Sequence, residues 1–216
     1  DSGWDNENYR LGSDYIIRLP RRSAAIPLLE NEITWLPRIK DALPINIPAP
    51  IHVGQPGASY PWQWSIIPWN DGKNGCKVLP NDNEVIVLAD FLKALHQHQP
   101  QDAPYNDHRC LPLSDKSSEV ISKINRLKDT SALVDDRLLE LWNQAINEPV
   151  STKQSLIHGD MHPRNIIIND GKLKAIIDWG DITFGDVAPD VASFWMLFDK
   201  AEVRNRGFKH YGADAS

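Results

Sequence analysis

Eight consecutive residues, His158-Gly159-Asp160-Met161-His162-Pro163-Arg164-Asn165, hold a carboxylate, a carboxamide and two imidazoles, and twelve positions after Asn165 comes Ile177-Asp178-Trp179. Apolar runs bracket the first segment, Ser155-Leu156-Ile157 before it and Ile166-Ile167-Ile168 after it. Short runs of this kind read as buried strands. Asp160 is therefore expected on a loop between strands, and Asp178 at the end of a further strand. Such a set suits phosphoryl transfer. Asp160 can accept the proton of an attacking hydroxyl, and Asn165 and Asp178 can ligate the metal ions that bridge nucleotide phosphates. The spacing His158-x-Asp160-x-His162 could also belong to a zinc hydrolase, but no further ligands stand at suitable intervals. Each residue alone has a plainer role: a loop aspartate satisfying backbone N–H groups, a turn asparagine, a strand-end cap. Their combination favours the chemistry.

The interval from Asp160 to Asn165 equals that of the protein-kinase catalytic loop, H-R-D-L-x-x-x-N. Together with Ile176-Ile177-Asp178-Trp179-Gly180-Asp181, the segment resembles the catalytic core of the aminoglycoside phosphotransferase family, relatives of choline kinases and protein kinases. Further pieces resemble that family in the same order: Tyr15 to Arg22, Glu30 to Pro37, Tyr60 to Ser65, Leu95-His96, and Gly185 to Asp190. The resemblance implies an α+β, two-lobed protein-kinase-like fold. Residues 1–70 would form a small N-terminal nucleotide-binding lobe of antiparallel sheet plus one helix. Residues 71–216 would form a larger, mostly helical lobe carrying a catalytic β-hairpin, with the stretch from Asp71 to Asn83 as the link. It implies Mg²⁺ as cofactor and ATP or GTP as co-substrate.

The resemblance also assigns residues. Arg18 stands where most kinases place a phosphate-contacting lysine, with Glu32 as its partner. Arg grips phosphate bidentately and is not interchangeable with Lys. Gly3 would lie in a phosphate-covering turn, although no G-x-G-x-x-G is present. Residues from Ile66 to Trp69 would be the hinge whose backbone reads the adenine edge. His158 and Asp190 would support the catalytic loop structurally. Asp181 and Asp186, apart from the resemblance, read either as the lining of an acidic acceptor pocket or as solvated loop carboxylates. The acceptor would be an aminoglycoside-like or other small alcohol. The competing class is a nucleotide-binding regulatory module without turnover, for which Arg18 in the lysine's place is the one argument.

The elements that must position these groups follow from pattern. Tyr15 to Leu19 reads as a strand, and Leu29, Ile33 and Leu36 recur at helical spacing behind Pro27, with Pro37 expected to end or kink that helix. Trp62 to Trp69 is an aromatic, β-prone run. Val85, Leu88, Leu92 and Leu95 mark a helix behind Asn81-Asp82-Asn83, a capping cluster. Residues 99–116 read as a long polar loop. Two helices are marked by Val120 to Leu127 and by Val134 to Ala145, and a last one by Val191 to Phe198. Asn169-Asp170-Gly171 is a hairpin turn.

Composition narrows the partners. The net charge of −6 argues against nucleic acid as the main partner. The acidic balance suits a cationic substrate, but is also the commonest solubility device. Hydrophobic and charged shares of 41% and 24% are those of an ordinary globular protein. No run reaches the length of a membrane span and no secretory leader opens the chain, so a cytoplasmic protein is expected. Cys76 and Cys110 read as reduced thiols, although two cysteines leave a disulfide open. The chain opens on Asp1-Ser2-Gly3, without a Met, as if in the middle of a turn. Read with the family resemblance, this suggests a partial chain lacking a first strand and C-terminal helices.

Overall fold

The computed structural model describes residues 3–128, 130–131, 134–148 and 154–212. The N-terminal third is a four-stranded antiparallel sheet in the order β1-β2-β4-β3: β1 Asn6–Leu11, β2 Tyr15–Pro20, β3 His52–Gly54 and β4 Trp64–Pro68. Between β2 and β3 runs α1, Ile26–Ile39. Pro37 is tolerated inside α1 because it sits in the last turn on the exposed side, where its missing N–H removes a single hydrogen bond.

The segment expected as a link is built into the fold. β5 (Lys73–Asn74) pairs with β7 (Ile166–Asn169), which pairs in turn with β8 (Lys172–Ile176). Gly72, at φ 144°, approaches so closely that a Cβ there would lie 2.5 Å from the Ile168 carbonyl oxygen. The β7–β8 hairpin closes on Asp170 and Gly171, both at positive φ, as an Asx-Gly turn requires. β6 (Gln154–Ile157) and β9 (Thr183–Asp186) form a separate two-stranded ladder.

The helices are α2 Glu84–His96, α3 Asp107–Cys110, α4 Ser117–Lys128, α5 Asp136–Asn147, α6 Ala188–Val191, α7 Ser193–Leu197 and α8 Ala201–Tyr211. They differ from the pattern in three places. The loop expected at 99–116 contains the single turn α3. The helix expected over Val191 to Phe198 is split into α6 and α7. Helix α8, packed on α2, was not foreseen. Its mixed sequence has only Val203, Gly207 and Phe208 buried, too sparse a stripe to read.

One core cluster joins both parts of the molecule. Trp35, Leu36 and Ile39 of α1 pack in it with Leu43, Ile45 and Ile47, with Leu88, Phe91 and Leu92 of α2, and with Ile166, Trp179, Phe194 and Phe208. Asn46 also bridges to Ala175 of β8. A boundary drawn at residue 70 therefore follows the sheet but cuts through the core. Among the described residues no helix is long and apolar enough to cross a membrane, and Cys76 and Cys110 are both free thiols.

Candidate active site

Period-two alternation on β2 turns Arg18 inward, against α1. Its Nη1 donates to Glu32 Oε1 at 2.7 Å and Oε2 at 2.6 Å, and its Nη2 stands 3.6 Å from Asp178 Oδ1. Burial disfavours the guanidinium charge, but Glu32 and then Asp178 outweigh it and the Arg18 pKa is raised. Glu32 Oε1 also accepts the Trp179 N–H at 3.0 Å. That carboxylate thus fixes the peptide following Asp178, and Asn31 Nδ2 on the same helix donates to the Gly180 carbonyl at 2.8 Å. Asp178 has φ +65°, a left-handed conformation uncommon for a residue with a Cβ, and its side chain is exposed. Strain of this kind concentrates where a side chain must be aimed.

The loop after β6 is held from both sides. Asp190, fully buried, accepts the His158 N–H at 2.7 Å and the Gly159 N–H at 3.0 Å. His158 Nδ1 accepts the Asp160 N–H at 3.1 Å, so its proton sits on Nε2, 3.0 Å from the Ile177 carbonyl to which it donates. His158 therefore links the loop carrying Asp160 to the residue before Asp178. Asn165 Nδ2 donates to the Asp160 carbonyl at 3.1 Å and to its Oδ2 at 3.3 Å. The Asn165 carbonyl accepts the Ile177 N–H at 2.8 Å. Asp160, Asn165 and Asp178 thus share one end of the β7–β8 hairpin, joined through Ile177.

Other residues named from sequence lie elsewhere or are already engaged. The Gly3 N–H donates to the Asn6 carbonyl at 2.9 Å, so that amide is not free for a phosphate, and Ser2 of the same turn lies outside the described residues. The Trp69 N–H donates to the Asp14 carbonyl at 2.7 Å, Pro68 has no N–H, and the Trp69 ring stacks under Arg10 at 3.9 Å. Neither position supplies a free backbone donor for an adenine edge. Asp186 pairs with Gln154 at the far end of the β6–β9 ladder and caps α6 by accepting the Ala188 N–H at 2.9 Å. It is not brought to the Asp160 end.

Asp181 is brought there, but with a partner the sequence did not reveal. Arg109 Nη2 lies 2.5 Å from Asp181 Oδ2 and 2.9 Å from Asp160 Oδ1. Asn106 caps α3 through its Oδ1 and donates from Nδ2 to Asp181 Oδ1 at 2.8 Å. The available signal was small: an asparagine cap two residues before a His-Arg pair, inside a segment whose prolines suggest a plain loop. His96 bonds Asp190 at 3.3 Å through Nε2 and the Tyr211 hydroxyl at 2.7 Å through Nδ1.

The donor set fits a hard divalent cation that brings further ligands with it. Among the described residues, with Nδ2 engaged by Asp160, the Asn165 Oδ1 accepts no hydrogen bond, and the Asp178 carboxylate has Arg18, at 3.6 Å, as its one ion-pair partner. No three His, Cys, Asp or Glu gather around a metal site among the described residues. An ion here needs oxygens from a ligand or water, which is how Mg²⁺ is commonly held beside phosphates.

The chain is similar to several known proteins. The family described as "Phosphotransferase enzyme family" matches residues 1–215. An aminoglycoside 3'-phosphotransferase of Escherichia coli is 30% identical over 163 residues, covering 70% of this chain and 59% of its own length. The uncharacterized protein YcbJ of Bacillus subtilis is 24% identical over 206 residues, covering 89% of this chain and 66% of its own. The chain thus spans less than two thirds of the length of either. The aminoglycoside phosphotransferase APH(2'')-IIIa, solved with GDP and kanamycin, superposes at a TM-score of 0.69 with 20% identity, over 99% of this chain and 76% of that one. A macrolide 2'-phosphotransferase from Brachybacterium faecium gives 0.64 with 14% identity, over 96% and 75%. At these identities the likeness shows the kinase-like fold.

Proposed function

The chain belongs to the phosphotransferase enzyme family, and from that premise we propose that it is a small-molecule kinase, moving the γ-phosphoryl of ATP or GTP to a hydroxyl of an aminoglycoside-like or other small alcohol. The observation that carries this reading is the convergence of Asp160, Asn165 and Asp178 at one hairpin end, with Arg18 reaching the same point from the opposite sheet. Asp160 Oδ2 orients the acceptor hydroxyl and takes its proton as the phosphoryl group arrives. Asn165 Oδ1 and Asp178 would hold Mg²⁺, which neutralises charge on the nucleotide phosphates when bound. Arg18, kept in place by Glu32, contributes positive charge to the phosphates. Asp190 and His158 hold the loop so that the reacting groups are placed before substrate binds, and positioning of this kind carries much of the rate in phosphoryl transfer. The site takes nucleotide and a small alcohol, with no nucleic acid or membrane partner, and it fits a cytoplasmic enzyme.

A phosphotransfer assay with ATP and GTP, with and without Mg²⁺, across aminoglycosides, macrolides, choline and sugars tests this. Metal-dependent phosphorylation of a hydroxyl is the expected result. One observation favours the regulatory-module alternative: Arg18 replaces the usual lysine, and one of its terminal nitrogens is chelated by Glu32. Tight nucleotide binding with no transfer to any acceptor would replace the kinase reading by that one.

A further inference from the structure

The carboxylates nearest the proposed acceptor position share an internal cation. Arg109 Nη2 spans Asp160 Oδ1 and Asp181 Oδ2, and Asn106 takes the other Asp181 oxygen. This arrangement is built into the fold. Asn106 caps α3 and its N–H donates to Thr183 Oγ1 at 2.9 Å, while the Cys110 thiol lies 3.1 Å from the same hydroxyl. The Arg109 stem passes over the loop glycine, its Cγ 3.5 Å from where a Gly159 Cβ would stand. Burial disfavours the Arg109 charge, yet Asp181 and Asp160 outweigh it and the group is held ionised.

The consequence concerns the substrate, and it rests on the kinase reading above. A polycationic acceptor is recognised by carboxylates, and here an internal guanidinium offsets one of the two charges and holds one oxygen of each. Its Nε and Nη1 make no hydrogen bond among the described residues, and a guanidinium with donors to spare is a carboxylate and phosphate receptor. We propose that Arg109 sets acceptor class in this protein, selecting an alcohol that bears an anionic group, such as a carboxylate or phosphate, and excluding polyamines.

The test measures kcat/KM on the wild-type protein with MgATP and MgGTP for three acceptor groups: polyamino aminoglycosides, uncharged polyols, and hydroxy acids or sugar phosphates. The same panel is repeated on Arg109→Gln and Arg109→Lys, with melting temperature recorded for each. The expected result is a wild-type preference for the anionic group. In Arg109→Gln the ratio of anionic to cationic efficiency should fall about tenfold or more, the scale of one lost charge contact, and Arg109→Lys should retain part of it. A purely structural Arg109 would lower all three groups together and leave the ratio unmoved, which overturns the proposal. A wild-type preference for aminoglycosides overturns it too while leaving the kinase reading intact. Failure to phosphorylate any group, with nucleotide bound, removes both.

Discussion

Glu32 shows how much one buried carboxylate can carry. Its two oxygens accept two contacts from Arg18 Nη1 and one from the Trp179 N–H, so it fixes both the proposed phosphate-binding cation and the backbone next to Asp178. Removing one partner of a buried ion pair typically costs about 3–5 kcal/mol, because the other charge is left uncompensated. Glu32→Ala should therefore lower stability by roughly that amount in urea titration and also weaken nucleotide binding by calorimetry. A variant that loses stability alone would separate Arg18 from the phosphates. Asp160 behaves differently, being half-buried and not a core group. Asp160→Asn should leave the melting temperature nearly unchanged and lower kcat by ~10²–10⁴-fold, the range for a lost general base. Turnover close to wild type would remove it from that role. The grouping of Asp160, Asn165 and Asp178 was legible because they sit in two short segments joined by one hairpin. The pair of Arg109 with Asp160 was not, since it depends on a contact across 51 positions of chain between residues 109 and 160.

At the scale of elements, α2 and α8 reach the loop that carries Asp160 through polar side chains. Tyr211 on α8 bonds His96 at the end of α2, His96 bonds Asp190, and Asp190 holds two N–H groups of the loop. Burial, then Asp190 and Asp186, push the Tyr211 pKa up from 10.0 to about 12. A tyrosine whose folded pKa is raised contributes stability that is complete below the unfolded value. That contribution is lost as pH climbs through the folded value, because the unfolded chain releases the proton first. Stability should consequently fall between about pH 10 and about pH 12, and Tyr211→Phe should flatten that fall when denaturation midpoints of the two proteins are compared. Parallel slopes would show that the Tyr211 pKa does not differ between the folded and unfolded states. Strands β2, β4, β6, β7 and β8 and helices α1, α2, α4 and α5 were legible from apolar periodicity and turn residues, whereas β5 and β9, short pairings made across the fold, were not. Helix α8 was not, because three buried positions among eleven leave no stripe to see. Nor was α3, a single turn defined by its cap.

For the whole molecule, the decisive feature is where the core runs. A division at residue 70 is natural from sequence, since strands precede it and helices follow. Yet α1 sends Trp35, Leu36 and Ile39 into the cluster built by α2, β7, α7 and α8, while Leu28 and Asn31 on its first turns abut Gly180. A sheet that moved together with α1 would therefore pull that helix out of the core. This favours a single cooperative unfolding transition in place of two. Leu36 is the sharpest probe, being fully buried at the junction. Leu36→Ala should cost about 2–5 kcal/mol through lost burial and the cavity left behind. Calorimetry should show one endotherm shifted down as a unit, with nucleotide binding and acceptor turnover lost over the same temperature range. If the variant instead splits the trace, with one part melting early and the other staying near wild type, the sheet and the helical part fold separately. Arg18 would then meet Asp178 through lobe closure and not through a shared core.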